Sequence, residues 1–263
     1  MVHASYNSDP IVRSIEARDV VEALIRGLRD FQAAPRFGLL FGLLYAVGGI
    51  AILVCLGALR MTYLAYPLAA GFAIVGPFVA LGLYEVSRRL EKAEPISIAS
   101  IWKTVRSRRE IAWMAFVTVF VLVVWMYQVR LLLALFLGNA GSFASISEFL
   151  RIVVTTNEGL LFLAVGNVIG AALSLILFSL TVVSFPLLLE RDVDFVTAMI
   201  TSVRAVSASP IPMIGWAALI VVLLTLSALP MFLGPVVTLP VLGHTTWHLY
   251  RRIVTSPDDA PTC

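Results

Sequence analysis

Charge is scarce in this chain. Asp, Glu, Lys and Arg make up 13% of its 263 residues, 60% are hydrophobic, and the mean hydropathy is +0.95. Soluble domains carry about 25% charged residues, so this balance excludes a water-soluble globule. Cysteine and histidine are scarcer still, at two and three residues. Cys55 lies inside an apolar run and Cys263 is the last residue, which excludes a disulfide framework and a Cys-x-x-Cys metal knuckle. Polar–apolar alternation over the roughly ten residues of a barrel strand is also lacking. There is no Gly-x-Ser-x-Gly elbow, Walker loop or dinucleotide fingerprint. No motif marks an enzyme or calls for a cofactor.

Present instead are long apolar runs. Phe37 to Leu59 is 23 residues without a charge, about 35 Å of helix against a hydrocarbon core of about 30 Å. Lipid offers backbone amides no partner, so such runs must be helices. The expected fold is all-α, a polytopic helical membrane bundle of about six transmembrane helices. The spans are Phe37 to Leu59, Tyr63 to Val86, Ile111 to Val129, Leu160 to Leu189, Ile214 to Leu229 and Pro230 to Tyr250. The fourth is over-long and must tilt or leave the hydrocarbon. The sixth, interrupted by Pro230, Pro235 and Pro240, could instead be re-entrant.

The first 36 residues have no secretory signal core, so the first span serves as the insertion signal. Residues 1–36 then form a cytoplasmic tail with an interfacial helix, 37–252 the membrane domain and 253–263 a disordered cytoplasmic tail. Placing both termini and the 87–110 and 190–213 loops on one side gives that side 16 of the 19 Lys and Arg; Arg60, Arg130 and Arg151 remain opposite. By the positive-inside rule that side is cytoplasmic, and Arg130 ends its span where it can snorkel. Across the membrane, Gly138 to Ser142 is a turn composition, and Ile146 to Val154 a short surface helix with Ile146, Phe149, Leu150 and Val153 on one side.

The sequence also repeats. Pro67, Pro77 and Arg88-Arg89 recur as Pro230, Pro240 and Arg251-Arg252 at an offset of 163 residues; Asp19 to Pro35 matches Asp194 to Pro210 at an offset of 175. A weaker copy places Ile98, Ile101, Trp102, Val105 and Arg106 where Val21, Leu24, Ile25, Leu28 and Arg29 align. Each segment has the i, i+3, i+4, i+7 period of an amphipathic helix lying in the cytoplasmic interface. Asp19, Ser97 and Asp194 suit N-caps or first-turn acids. Arg29, Arg106 and Arg204 come near the helix ends, where they can meet phosphates or helix carbonyls. Three parallel units of amphipathic helix plus hairpin follow, at about 19–89, 97–191 and 194–252. Gly42, Gly48 and Gly49, with Gly71, Gly76 and Gly82, suit close helix packing, and Gln128, Asn157 and Asn167 interhelical hydrogen bonds.

Ionisable residues near the membrane are the functional candidates. Glu85, Glu190 and His248 end the even-numbered spans, as a polar ring at a cytoplasmic mouth or as interfacial groups paired with neighbouring arginines. His244 and His248, four apart, could share a metal ion, or belong with Trp247 to an aromatic belt. The basic loop carrying Arg88, Arg89, Arg106, Arg108 and Arg109 interleaves Glu91, Glu94 and Glu110. It suits anionic phospholipid and not nucleic acid.

Asp19-Val-Val-Glu-Ala-Leu, Pro67-Leu-Ala-Ala-Gly-Phe, Gly76-Pro77, Leu83-Tyr84-Glu85-Val-Ser-Arg88-Arg89 and the closing Gly243-His244-Thr-Thr-Trp247-His248-Leu-Tyr250-Arg251 resemble the bacterial integral membrane proteins of domain of unknown function 2189. The resemblance covers nearly the whole chain, and the closing motif is its most specific part. It implies a proteobacterial inner-membrane protein without an assigned activity. Some relatives carry labels linking them to cytochrome oxidase, which leaves an accessory or assembly role open; a catalytic haem-copper subunit would need more than three histidines. The reading that results is a non-enzymatic inner-membrane protein binding lipid or a membrane-protein partner as a scaffold, accessory or assembly factor. The alternative is a small transporter or channel using Glu85, Glu190 and His248, with a membrane enzyme third.

Overall fold

The computed structural model describes residues 10–54, 79–138, 146–230 and 233–255. Within them the chain is all-α apart from one pair of two-residue strands, β1 (Ile11–Val12) and β2 (Val254–Thr255). The helices are α1 (Ala17–Ala33), α2 (Pro35–Leu53), α3 (residues 79–91), α4 (Ile98–Ser107), α5 (Arg109–Leu137), α6 (Ile146–Thr155), α7 (Asn157–Thr181), α8 (Ser184–Glu190), α9 (Phe195–Ala208), α10 (Pro210–Ala228) and α11 (Pro235–Ile253). Four segments are long and apolar enough to cross a membrane: Pro35–Ile52, Arg109–Leu137, Asn157–Glu190 and Pro210–Ser227. Most of the expected second span, with Pro67, Pro77, Gly71 and Gly76, lies outside the described residues.

Each of these four segments begins one residue after a shorter helix. Ala34 (φ −132°, ψ 53°) separates α1 from α2, and Ser209 (φ −143°, ψ 63°) separates α9 from α10. A proline follows each, Pro35 and Pro210. Its ring pushes the preceding residue out of the helical region, and its fixed φ suits the first turn of the next helix. The two breaks are 175 residues apart, and α2 and α10 are both 19 residues long. Arg108 breaks the chain between α4 and α5 without a proline, its guanidinium reaching the Glu190 carbonyl at 3.3 Å and Asp192 at 3.5 Å.

The helix starts follow their capping residues. Ser97 accepts from the Ser100 amide at 3.1 Å and Asp194 from the Thr197 amide at 2.9 Å. Asp19 is a first-turn acid, its carboxylate accepting the Glu16 amide at 2.8 Å. Glu110 adds a second carboxylate at the start of α9, accepting the Phe195 amide at 3.2 Å.

The over-long fourth run is broken. Pro186 has no N–H for the carbonyl four residues back and its ring crowds that turn. Accordingly α7 stops at Thr181, Val182 and Val183 form a turn, and α8 restarts at Ser184. The freed Val183 amide donates to Ser202 of α9 at 3.1 Å. Conversely, α5 runs seven residues past Arg130, so that arginine lies within a helix and does not end one. Asn167 bonds the Leu163 carbonyl of its own helix at 2.8 Å, where an interhelical bond was expected.

The described residues divide into two compact units. The first comprises the described residues within 1–116 and 179–263, the second those within 117–178. In the first, α11 is the central element: α1 and α2 pack along it, and α10 and α8 also touch it. Ala34, Phe37, Val86 and Ile101 form a core joining α2, α3 and α4. Gly27 faces Thr245, and Gly82 faces Phe41. In the second unit, α5 and α7 meet where Trp125 packs on Gly170, while Phe120, Tyr127, Leu135 and Val168 stay exposed. Gly138 there has φ +70°, the left-handed conformation a turn glycine supplies.

Candidate functional site

The polar side chains of interest gather in the first unit, where the C-terminal half of α11 meets α1, α3 and α8. The face of α11 from Leu242 to Tyr250 is buried throughout, so polar groups on it need partners. His248 lies between two carboxylates from different helices. Its Nε2 is 2.7 Å from Asp30 of α1, and its Nδ1 is 3.4 Å from Glu91 at the end of α3. Arg251 then bridges Glu91 at 3.5 Å and Glu190 of α8 at 2.9 Å. Tyr250 donates to the second Glu190 oxygen at 2.5 Å. One helix face thus holds three other helices through a single chain of polar contacts.

Glu85 forms a separate cluster. Its carboxylate is wholly buried and accepts Arg88 Nε at 2.7 Å and Arg89 Nε at 2.6 Å. The spacings i, i+3 and i, i+4 put all three on one face of α3. Arg89 also donates to the Pro95 carbonyl at 2.9 Å, and Arg88 reaches Glu94 at 3.5 Å. Ion pairing with Glu85 raises the Arg88 pKa above its usual value. Arg252 pairs with Asp19 and Glu22 of α1. His244 is wholly buried, its Nδ1 2.7 Å from the Ser87 hydroxyl.

Glu85, Glu190 and His248 are therefore in one unit, and each is paired: Glu85 with its own arginines, Glu190 with Arg251 and Tyr250, His248 with Asp30 and Glu91. His244 and His248 share a face of α11, yet the two nitrogens of His248, on opposite sides of its ring, face different carboxylates. Among the described residues no group of three or more His, Cys, Asp or Glu could hold a metal ion. Of the expected lipid contacts, Arg88 and Arg89 are only 14% and 12% exposed at their side chains, against Glu85, and Arg108 reaches toward Asp192. Arg106 and Arg109 remain exposed without an ion pair among the described residues.

Asp30, Glu91, Tyr250 and Ser87 were missed by sequence reasoning. Glu91 stands in the sequence only as one of three acids interleaved in the basic loop. Asp30 lies 218 residues from His248, and no local pattern joins the two.

Burial works to raise the Glu91 carboxyl pKa, but the neighbouring His248 and Trp247 ring nitrogens and the Arg251 charge outweigh it and hold it below the usual value. Asp19 is lowered chiefly by its bond to the Glu16 backbone, and Asp194 by Thr197.

Residues 65–190 match the family model of domain of unknown function 2189, described as a predicted integral membrane protein. The chain is an integral membrane protein with several apolar helices. The matched stretch contains the Leu83 to Arg89 motif and Glu190, while the closing Gly243 to Arg251 motif lies beyond it. No curated protein and no solved structure matches the chain.

Proposed function

We propose that this is a non-enzymatic protein of a bacterial inner membrane that binds anionic lipid or a membrane-protein partner from its cytoplasmic side, in a scaffold, accessory or assembly role. Six spans and cytoplasmic termini are part of the proposal, supported by the 16-to-3 division of Lys and Arg. The three-unit organisation draws support from the matching breaks at Ala34 and Ser209.

The observation that carries the reading is the pairing of Glu85, Glu190 and His248. Each is engaged by neighbours that fix helix to helix, so the ionisable groups a carrier needs in a pathway are used in holding the bundle. The link to a respiratory oxidase rests on the family resemblance alone.

Purification of the full chain from native membranes, with its lipids and companion proteins identified together, tests the reading. Anionic phospholipid or a stoichiometric membrane protein is expected to remain bound. Recovery of neither, together with proton- or ion-driven uptake in reconstituted vesicles that Glu190→Gln abolishes, would replace it with the carrier reading.

A further inference from the structure

The helices α1, α4 and α9 each have two apolar faces. One is filled by protein: Val20, Ala23 and Gly27 on α1, Ile101 on α4, and Ala198, Ser202 and Ala205 on α9 are buried. The other is bare. Val21 and Ile25 on α1, Ile98 and Trp102 on α4, and Val196 and Ile200 on α9 are between 44% and 63% exposed. Within each pair the residues are four apart, and an exposed arginine follows at four more: Arg29, Arg106 and Arg204. None of these arginines has an ion pair among the described residues.

An i, i+4, i+8 register turns only about 40° per step around a helix of 3.6 residues per turn. Each bare stripe thus ends in a cation with a long aliphatic stem. The register occurs three times, immediately before Pro35, Arg109 and Pro210 begin apolar helices long enough to span lipid. A helix one residue from such a span is tethered at the membrane surface, where an apolar stripe is covered by acyl chains and a flanking arginine reaches phosphate.

Resting on the reading above, we propose that α1, α4 and α9 lie in the headgroup layer of an anionic bilayer. The stripes Val21–Ile25, Ile98–Trp102 and Val196–Ile200 insert, and Arg29, Arg106 and Arg204 bind phospholipid phosphate. These arginines, and not the internally paired Arg88, Arg89 and Arg108, carry the lipid contact. A partner protein on these stripes is disfavoured because a free cation recurs at the same register in all three.

The test uses the full chain with Cys55→Ser and Cys263→Ser, spin-labelled singly at Ile25→Cys, Trp102→Cys or Ile200→Cys, in nanodiscs of phosphatidylglycerol and phosphatidylcholine. All three labels are expected to be more accessible to oxygen than to a water-soluble nickel complex, with Arg13→Cys as the wet control. In a second arm, R29Q/R106Q/R204Q keeps its size-exclusion profile and loses affinity for phosphatidylglycerol, by about five-fold per charge and on the order of 100-fold in all. Labels as wet as the control, labels shielded from both reagents by protein, or unchanged phosphatidylglycerol affinity in the triple variant would each overturn the inference. Wet labels beside continued co-purification of a membrane protein would sink the stripes and leave the broader reading standing.

Discussion

Gly42 of α2 faces the carbonyl of Val236 on α11, which would lie 2.2 Å from a Cβ at that position. Val236 is four residues before Pro240, which has no N–H to give it. The carbonyl left without its i+4 donor is the one the neighbouring glycine approaches, a place for a weak Cα–H···O contact. Gly38, one turn earlier, meets the ring of Pro240 itself, whose Cβ would lie 3.3 Å from an added methyl. Such small-x-x-x-small pairs let membrane helices pack backbone to backbone.

Gly42→Ala is accordingly expected to lower stability by about 1–3 kcal/mol, because the obstructing atom is backbone and cannot swing away. Gly215→Ala is the control: nothing lies within 4 Å of its added methyl. Thermal unfolding of both variants in one detergent checks the difference. Equal midpoints would mean that the α2–α11 contact is looser than described.

Glu85→Gln removes the anion between Arg88 and Arg89 while leaving both cations in place. Breaking a buried ion pair from one side costs about 3–5 kcal/mol, so a large fall in midpoint is expected. Arg88→Gln is milder, since Arg89 still neutralises the carboxylate. A thermal-shift comparison that found the two variants equally damaged would contradict the shared-carboxylate geometry.

Both prolines that open spans were readable in the sequence, because a proline acts on the residue beside it. Pro186 was equally local, yet it sat inside an apolar run and hydropathy averaged it into one over-long span. The pairing of Glu85 with Arg88 and Arg89 was readable too, since i+3 and i+4 spacing fixes it within a single helix. Asp30 and Glu91 were not, because their place beside His248 depends on α1 and α3 both packing against α11. Short-range stereochemistry is written in the chain; the meeting of distant helices is not.

Acid should loosen the protein at three points. Glu91, Asp19 and Asp194 all have lowered pKa values in the folded state. A lowered folded value gives stability that is fully present above the unfolded pKa, near 4.5 for Glu91 and 3.8 for the two aspartates, and lost as pH falls through the folded values. Below about pH 5 these three groups should pull the unfolding midpoint down as they protonate. Glu91→Gln should flatten part of that decline in a pH series of thermal melts; an unchanged slope would mean that the Glu91 carboxylate does not stabilise the fold.

The proposed sidedness rests on charge. In the background without native cysteines, Lys103→Cys in α4 should react with a membrane-impermeant thiol reagent only from the cytoplasmic side. Arg151→Cys in α6 should react only from the opposite side. Labelling of both from one side would overturn the proposed orientation.

The short strand pair has a consequence for the order of events during synthesis. Ile11 and Val12 pair in antiparallel register with Thr255 and Val254, the Arg13 amide donates to the Ile253 carbonyl, and the Ile15 amide donates to the Ser209 hydroxyl. The early segment therefore waits for residues that leave the ribosome roughly 190 to 245 positions later. Until α11 arrives, α1 has neither the Thr245 face for Gly27 nor Arg252 for Asp19 and Glu22. The final helix is thus the clasp of the first, and a nascent chain stopped before it would leave its amino-terminal helix undocked.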